Sequence, residues 1–358
     1  MKKHKKTITG IFAATAMLTI ILDGKTAISS AVDGMDLCIR SVIPALLPFF
    51  FLSGLLNGSL FGREIHPLQW LERFCRIPSG GISIFLIGVL SGYPVGAQLV
   101  SDTYHAGGLN KESANRMLGF CSNAGPAFIF GILSPLFSNK LIPWILWFIH
   151  IFAAIVTGRI LPANEIECCC LKKPYTLTAY QSLQNALRTA ATVCGWVLLF
   201  RILIGFFERW FFWLLPTEIR VIISGMLELT NGCALLTLIH KEGTRFVLVS
   251  LLLSFGGLCV IMQTKSVAKT LRLSFYFPGK LFQSVISVLI SILLQPIIFD
   301  KEDIFYVSSL TVVVILFIAV TGYVLTRKKV VDFIKSLLYN SNRNEDLKGE
   351  AVCCFAKK

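Results

Sequence analysis

GVLSGYPVGAQLVSDTYHAGGLNKESANRMLGFCSNAGPAFIFG, residues 88–131, contains two apolar segments that are each interrupted by small and helix-disfavouring residues. The first interruption is SGYPVG, residues 91–96, and the second is SNAGP, residues 122–126. Glycine and proline free backbone groups from the helical ladder, and in hydrocarbon those groups must be satisfied by protein, water or ligand. A plain membrane anchor needs neither interruption. The stretch therefore predicts broken membrane segments that line a binding site near the middle of the bilayer.

The composition of the chain predicts an all-α polytopic membrane protein. The chain has 358 residues, of which 54% are hydrophobic and 15% are charged, and its mean hydropathy is +0.70. Those values lie outside the range of ordinary soluble domains. The net charge of +14 does not indicate nucleic-acid binding, because the lysines and arginines lie between apolar segments rather than along one face. They are the kind of charge that sets topology.

Ten apolar segments are candidates for the membrane-embedded part, and we expect about eight to ten of them to be membrane segments. Several are shorter than the roughly 20 residues of a perpendicular span, so some are expected to be re-entrant. If all ten cross, lysine and arginine are more numerous on the side that carries both termini, which predicts cytoplasmic termini. The segments are Ile8–Leu22, Ser41–Leu56, Ile82–Leu99, Leu118–Phe137, Leu141–Leu161, Ala190–Phe207, Val221–Leu238, Phe246–Met262, Leu281–Phe299 and Ile304–Leu325.

The order of these segments divides the chain into two halves with additions at each end. We predict a signal-anchor at the N-terminus rather than a cleaved signal peptide, because more apolar segments follow it. The predicted units are residues 1–40, the N-terminal signal-anchor helix and loop; 41–161, the first repeat half; 162–189, a polar linker; 190–299, the second repeat half; 300–326, the last membrane helix; and 327–358, a basic amphipathic cytoplasmic tail.

The two halves carry similar patterns of interruption. GVLSGYPVG at residues 88–96 corresponds to GMLELTNG at 225–232, and FCSNAG at 120–125 corresponds to FGGLCVIMQ at 255–263. Equivalent glycines and phenylalanines are separated by 135 to 137 residues. Internal duplication with interrupted segments is typical of transporters. Whether the halves are parallel or inverted depends on which short segments are re-entrant, and the pattern leaves that open.

Glu228 is the most informative single residue of the second half. It lies about eight residues inside an apolar segment, next to Thr230-Asn231-Gly232. An intramembrane carboxylate costs several kcal/mol unless it is paired, protonated or hydrated. One interpretation gives Glu228 a role in binding a substrate or a coupling ion. The other makes it a structural partner of Arg201, the cation in the middle of a predicted segment.

The polar and small residues around the interruptions form the candidate site. For the glycines, close packing of helices is the alternative interpretation, and for Lys265 it is a topology-setting role at the interface. The candidate substrate-binding residues are Gly92, Tyr93, Pro94, Gly96, Gln98, Asn123, Gly125, Pro126, Glu228, Thr230, Asn231, Gly232, Ser254, Gly256, Gly257 and Gln263, with Arg201 and Lys265 as charge partners.

Motifs of enzymes and metal sites are missing from the sequence. It has no H-E-x-x-H, G-x-S-x-G or P-loop motif, and its five histidines are isolated. The cysteine clusters at 168–170 and 353–354 lack the spacing of a zinc site. We therefore predict a protein that is not an enzyme and that has no cofactor and no metal.

Four strings in order resemble one known family. They are SGYPVGAQL, N-x-G-P-x-F-I-x-G, G-x-L-E-x-T-N-G and S-F-G-G-x-x-V-x-x-Q, and the likeness covers roughly residues 47–290. They resemble the YlbJ sporulation integral membrane proteins, also called SpoVV, of the nucleoside-recognition or Gate-domain group, which is similar in design to concentrative nucleoside transporters. All candidate substrate-binding residues lie in these strings. The resemblance assigns all of them except Gln98 to the family's motif positions.

This resemblance implies an endospore-forming bacterium and a function in spore formation. It implies movement of dipicolinic acid, a component of the spore interior, from the mother cell across the outer forespore membrane that surrounds the developing spore and its cortex. The expected partners are a small anionic or aromatic substrate, the lipid bilayer and sporulation membrane proteins. The oligomeric state stays open.

The residues themselves fit more than one ligand. Half-helix N-termini near Gly92 and Gly125 are able to offer N–H groups to carboxylates, and Tyr93 offers an aromatic face. The amides of Gln98, Asn123, Asn231 and Gln263 would equally suit a nucleoside. The alternatives are therefore a nucleoside or other small-solute permease, and a membrane scaffold for spore assembly that transports nothing.

Overall fold

A computed structural model describes residues 2–60, 65–163 and 178–299, and throughout these ranges the regular elements are helices. Short π or 3-10 turns extend several of them. The helices are α1 (Lys2–Leu22), α2 (Gly24–Leu37), α3 (Ile43–Leu60), α4 (Gln69–Cys75), α5 (Ile82–Ser91), α6 (Val95–His105), α7 (Lys111–Cys121), α8 (Pro126–Phe128), α9 (Ile142–Ile160), α10 (Ala179–Trp210), α11 (Thr217–Leu227), α12 (Leu229–Leu235), α13 (Glu242–Phe255), α14 (Gly257–Ala268) and α15 (Tyr276–Ile298).

Six helical stretches in the described residues are long and apolar enough to cross a membrane. This confirms the polytopic all-α fold. Three shorter apolar helices accompany them, at Ala13–Leu22, Ile82–Ser91 and Leu229–Leu238. The predicted segment Ile304–Leu325 and the tail 327–358 lie outside the described residues. The six stretches are Gly24–Leu56, Lys111–Leu136, Ile142–Ile160, Ala179–Trp210, Glu242–Ala268 and Tyr276–Ile298.

Two of the predicted segments are hairpins rather than spanning helices. In the pair α5 and α6, a Cβ atom added to Gly88 would lie 3.0 Å from the Cα of Gly96. Residues eight apart in a continuous helix lie about 12 Å apart along its axis, so the chain turns back between these glycines. In the pair α11 and α12, Gly232 lies directly against Gly225 in the same way. We name these pairs hairpin 1 and hairpin 2.

Two of the long stretches are broken helices, as the sequence predicted. Residues 122–125 have no helical assignment and separate α7 from α8, which continues as π and 3-10 turns to Leu136. In the second half, α13 ends and α14 begins at Gly256, and Gly256 and Gly257 have φ values of +80° and +81°. Glycine adopts these values without steric cost.

The order of elements is duplicated. A long helix, a hairpin, a broken helix and a long helix occur as α2–α3, hairpin 1, α7–α8 and α9, and again as α10, hairpin 2, α13–α14 and α15. Each half has three long helical stretches, which is an odd number, and a hairpin returns to the side it came from. The second half therefore enters the bilayer from the opposite side, as in inverted repeats.

The boundaries between the predicted units shift in the structure. The second half begins at Ala179, because Thr178 and Gln181 form a capping box at the start of α10. The predicted linker therefore ends about ten residues earlier than 189, and most of it, 164–177, lies outside the described residues. At the N-terminus, the predicted boundary at residue 40 falls inside the continuous helical stretch 24–56.

Arg116 ties the ends of two helices to α7 on one side of the first half. Its buried guanidinium, carried by α7, donates to the carbonyl oxygens of Cys75 (2.7 Å), Arg76 (3.1 Å), Leu161 (3.3 Å) and Gly158. These carbonyls belong to the C-terminal ends of α4 and α9, where helices leave acceptors without intrahelical partners. One cation therefore satisfies two helix ends at once.

Glu72 satisfies the backbone N–H groups at the start of hairpin 1. Its buried carboxylate accepts hydrogen bonds from the backbone N–H groups of Gly80 at 2.9 Å and Ile82 at 3.3 Å. A carboxylate at a helix N-terminus is stabilised by the unpaired N–H groups there. The base of hairpin 1 is thereby held on α4.

Candidate functional site

The tips of both hairpins and the break of the first broken helix meet at one small pocket. We name it the central pocket; it holds about 40 Å³. Hairpin 1 contributes Gly92 and Tyr93, and hairpin 2 contributes Glu228 and Thr230. Hairpin 2 also contributes Leu229. The remaining lining comes from α3 and the turn before it, from the α7–α8 break and the helix after it, and from α10 and α14, namely Val42, Ala45, Leu46, Ala124, Gly125, Phe128, Ile132, Val193, Val197, Val260 and Gln263.

The tip of hairpin 1 needs a glycine at residue 92. Gly92 has a φ of +84°, and a Cβ atom there would lie 3.0 Å from the backbone nitrogen of Gly125. Tyr93 follows, and its hydroxyl donates to the carbonyl oxygen of Leu253 at 3.0 Å. The Tyr93–Pro94 peptide bond is cis, and Pro94 is the N-cap of α6. Tyr93 thus connects the hairpin of the first half to the broken helix of the second.

The tip of hairpin 2 is built by Glu228. Its side chain is the N-cap of α12 and accepts from the backbone N–H groups of Thr230 (3.0 Å) and Asn231 (2.7 Å). The Asn231 side-chain amide donates to the same carboxylate at 2.7 Å. Glu228 is 2% exposed, so these three donors replace most of its hydration. The N-terminus of α12 is therefore satisfied from within the hairpin.

The pairing of Glu228 with Arg201 is wrong. The Arg201 guanidinium bridges Asp33 on α2 and Glu208 on its own helix, both at 2.9 Å. Asp33 lies outside the predicted membrane segments, but the structure places it in the apolar helical stretch Gly24–Leu56. Lys265 donates to the carbonyl oxygen of Leu271 at 3.2 Å, near the end of α14. Neither cation lines the central pocket.

Behind Tyr93 lies a group of buried polar side chains, the central polar cluster. The sequence analysis found its members Tyr93, Asn123 and Ser254, but missed those on α9 and α15. Polar residues recur on α15 at helical spacing, and that pattern was the available signal. The predicted segment Leu281–Phe299 began one residue too late to include the lysine. The cluster consists of Tyr93, Ser122, Asn123, His150, Ser254, Lys280, Gln283 and Ser287.

Lys280 is fully buried at the centre of this cluster. Its ammonium donates to the carbonyl oxygen of Ser122, to Oε1 of Gln283 at 2.8 Å and to the hydroxyl of Tyr93 at 3.3 Å. It also lies 5.1 Å from the centre of the Tyr93 ring and 5.9 Å from that of Tyr276. Gln283 in turn donates to Oδ1 of Asn123 at 3.0 Å.

His150 connects the broken helices of the two halves. Its Nε2 accepts from the backbone N–H of Ala124 at 3.0 Å, in the break of the first half. Its Nδ1 lies 3.3 Å from the hydroxyl of Ser254, two residues before Gly256 in the second half. Ser254 then donates to Ser287 on α15 at 2.6 Å. An Nε2 that accepts leaves Nδ1 as the donor to Ser254.

A second and larger cavity adjoins the tip of hairpin 1. We name it the lateral cavity; it holds about 440 Å³ and lies between α3, α6 and α10. Gln98 lines it and accepts from the hydroxyl of Thr189 at 3.2 Å, so Gln98 does not belong to the central pocket. At its rim Lys269 and Asp102 form an ion pair at 2.9 Å. Both cavities follow the same faces of α3 and α10.

The predicted site residues therefore fall into distinct places. Gly96, Gly232 and Gly257 are packing positions within or against the hairpins, and Pro126 begins α8. Gly256 lies against the Tyr93 ring. Residues that line the central pocket or belong to the central polar cluster are Gly92, Tyr93, Asn123, Gly125, Glu228, Thr230, Ser254 and Gln263.

One curated relative is similar to the chain over most of its length. The sporulation integral membrane protein YlbJ of Bacillus subtilis (strain 168) is 23% identical to it over 327 residues, which cover 77% of this chain and 79% of the relative. The similarity supports membership of the YlbJ family. Its place in the membrane follows from the same relative and from the six long apolar helices. No family model and no solved structure matches the chain.

The similarity supports a membrane role in sporulation. Four motif strings suggested the same family, and they coincide with the structural features of the site. SGYPVG forms the tip of hairpin 1, LELTNG that of hairpin 2, and SNAGP and SFGG form the two helix breaks.

Proposed function

We propose that the protein is a transporter of sporulation membranes that carries a small aromatic anion, dipicolinic acid, by alternating access. The observation that carries the proposal is the convergence of two inverted hairpin tips and a helix break on one pocket lined by Glu228. Discontinuous helices of inverted repeats that meet in the interior are the usual construction of secondary-transporter binding sites. The proposal includes no chemical change of the solute.

The lateral cavity supports a path to this site. Along α10 its lining residues Ser182, Ala186 and Thr189 lead directly to Val193 and Val197 of the central pocket. Its volume lies within the range of about 300–1,000 Å³ that is usual for small-molecule sites. The central pocket has room for only a few water molecules. Admitting an aromatic solute therefore requires the hairpin tips to separate, which is the expected motion of such a carrier.

The charge distribution supports a cytoplasmic opening of the lateral cavity. With the hairpins re-entrant, the lysines and arginines of the described residues are more numerous on the side where α6 ends and α10 begins, and positive loops favour the cytoplasm. That side carries Arg73, Arg76, Lys111, Arg116, Arg159, Arg188, Lys265, Lys269 and Arg272, whereas the opposite loops and helix ends carry Lys25, Lys140, Arg209, Arg220, Lys241 and Arg245. The cavity would then face the mother-cell cytoplasm if the protein lies in the outer forespore membrane.

Glu228 has a defined task in this proposal. An ionised carboxylate in the pocket wall would repel a dianion at close range, and little water is present to screen it. We propose that Glu228 carries a proton when the anion is bound, which couples the movement of the anion to that of a proton. The Tyr93 ring supplies an aromatic surface opposite it.

The test is uptake of labelled dipicolinate into proteoliposomes that contain the purified protein, with uridine as the parallel substrate. Saturable dipicolinate uptake is expected, with proton movement detected by a pH-sensitive dye. Glu228→Gln should reduce the uptake rate by at least about 100-fold while the protein stays inserted, because a permanently neutral side chain cannot exchange the proton. Glu218→Gln is the matched control, since Glu218 is an exposed residue of the same hairpin.

The outcomes separate the alternatives. Uptake of uridine but not of dipicolinate would assign the protein as a nucleoside permease. Normal dipicolinate uptake by Glu228→Gln would remove Glu228 from the mechanism. If a folded protein transports neither compound, the transport proposal fails and a scaffold role in spore assembly takes its place.

A further inference from the structure

The central polar cluster contains a charge for which the transport proposal gives no use. Lys280 lies on α15 with no exposed surface, and within the part of the chain that the structure describes no aspartate or glutamate forms an ion pair with it. Burying an ammonium without a counter-ion costs several kcal/mol unless its donors are fully satisfied. A structural role alone would be served at lower cost by an apolar residue.

The surroundings of this ammonium are those of a monovalent cation site. All three of its hydrogen-bond partners are oxygen atoms: a backbone carbonyl at Ser122, a side-chain amide at Gln283 and a hydroxyl at Tyr93. The Ser122 carbonyl is available because α7 ends at Cys121 and Ser122 has an extended conformation. Unwound backbone carbonyls at helix breaks are the groups that coordinate sodium in carriers with broken helices.

The position of Lys280 also matches that of a coupling cation. Its three partners belong to hairpin 1, to the α7–α8 break and to α15, so the charge holds together the elements that would otherwise need a bound ion between them. Lys280 does not line the central pocket, whereas Tyr93 does, and the ammonium lies 5.1 Å from the centre of the Tyr93 ring. Lys280 is therefore placed to stabilise the site and not to contact the solute.

We propose that the ammonium of Lys280 is a tethered substitute for a free monovalent cation, so that this protein needs no sodium and gains a sodium site when the ammonium is removed. A cation that is bonded to the chain cannot dissociate, and it therefore cannot transmit the energy of a sodium gradient. The binding part of this proposal is independent of the proposed function, and only its consequence for transport rests on that function.

The test is thermal unfolding of the purified full-length protein, followed by tryptophan fluorescence, in sodium, potassium or choline chloride at equal ionic strength. The wild type should unfold at the same temperature in all three salts. Lys280→Ala should be destabilised in choline chloride, because three oxygens lose their donor. Sodium should restore the stability of this variant. At sodium concentrations in the millimolar to molar range that exceed the dissociation constant of the site, the unfolding temperature should rise by about 3 °C or more.

Matched variants show whether the response belongs to this site. Lys265→Ala removes another lysine that donates to a backbone carbonyl, at a partly exposed position, and should gain no response to sodium. Tyr93→Phe in the Lys280→Ala background removes one of the proposed sodium ligands. The sodium concentration needed for half of the restoration should then rise at least about 3-fold. Lys280→Met fills the space with an apolar chain, which leaves no room for the ion, and its unfolding temperature should show no specific response to sodium.

Two results would overturn the proposal. One is a sodium-specific stabilisation of the wild type. The other is a folded Lys280→Ala protein that responds equally to all three salts. If Lys280→Ala is recovered only when it is expressed and purified in sodium, that result supports the proposal. If it is recovered in none of the salts, the same comparison is made with Lys280→Ser, a small polar replacement. None of these measurements uses a transported solute, so a failure of the transport proposal would leave them unaffected.

Discussion

Hairpin 1 and hairpin 2 bring their arms together in the same way, through Gly88 and Gly96 in one and through Gly225 and Gly232 in the other. Their tips are chemically different. The tip of hairpin 1 carries Tyr93 in front of a buried ammonium, whereas that of hairpin 2 carries a carboxylate that caps its own helix. The comparison shows that duplication preserved the close contacts that form the fold. The groups that face the pocket have diverged in charge.

The largest effect is expected from a side chain added where the two arms of each hairpin touch, because this tests whether the hairpins are structurally equivalent. In hairpin 1, Gly96→Leu would place atoms against the Gly88 backbone of the other arm and against the Cys121 carbonyl of α7, and in hairpin 2, Gly232→Leu would place them against the Gly225 backbone. Backbone atoms cannot move aside cheaply, so each change should cost about 3 kcal/mol or more. We expect loss of monodisperse protein in size-exclusion chromatography. Gly195→Ala is the control, because no atom lies within 4 Å of an added Cβ atom there.

The prediction requires that Gly96→Leu and Gly232→Leu destabilise the protein to a similar extent. If Gly96→Leu is damaging and Gly232→Leu is tolerated, the arms of hairpin 2 do not rely on close contact. The structural equivalence of the hairpins would then be lost.

A smaller effect separates the two roles of Glu228. Glu228→Ala removes the cap of α12 and should lower the free energy of unfolding by about 1–2 kcal/mol. Glu228→Asp should restore most of the stability, because aspartate is a favoured N-cap residue. Thermal unfolding of the two variants measures the difference. Equal loss in both would show that the length of the side chain, and therefore its place in the pocket wall, matters more than capping.

The smallest expected effect on stability lies at the rim of the lateral cavity. Asp102→Asn removes the ion pair with Lys269, which is about half exposed, so the cost should stay below about 1 kcal/mol. The ion pair joins hairpin 1 to α14, and its loss should increase the access of a thiol reagent to a cysteine introduced at Gln98, which lines the cavity. Unchanged labelling would show that the ion pair does not restrict entry. Lys111→Gln, at an exposed position on the same side, is the control.

The sequence predicted those parts of the molecule that depend on local chemistry. Helix breaks at 91–96 and 122–126 follow from glycine and proline, and the duplicated order follows from their recurrence. Whether a short apolar segment turns back could not be predicted, because that depends on the contact between Gly88 and Gly96 across the turn. The inverted arrangement of the halves was left open for the same reason.

The charge partners were harder to predict, because they come from distant parts of the chain. One of the two interpretations of Glu228 pairs it with Arg201, whereas Arg201 pairs with Glu208 and with Asp33, which is 168 residues away. The role of Lys280 could not be predicted for a related reason. A lone basic residue at the edge of an apolar segment has the appearance of an interfacial one until the packing of α15 against α9 is known.

The four carbonyl bonds of Arg116 have a consequence for motion. They join α4, α7 and α9, and Glu72 adds the start of hairpin 1 to the same group, so this part of the first half can only move as a rigid block. The α3 and α10 helices pack against each other outside these bonds. A solute that enters through the lateral cavity therefore passes between two parts that slide past each other, the rigid block on one side and the α3–α10 pair on the other.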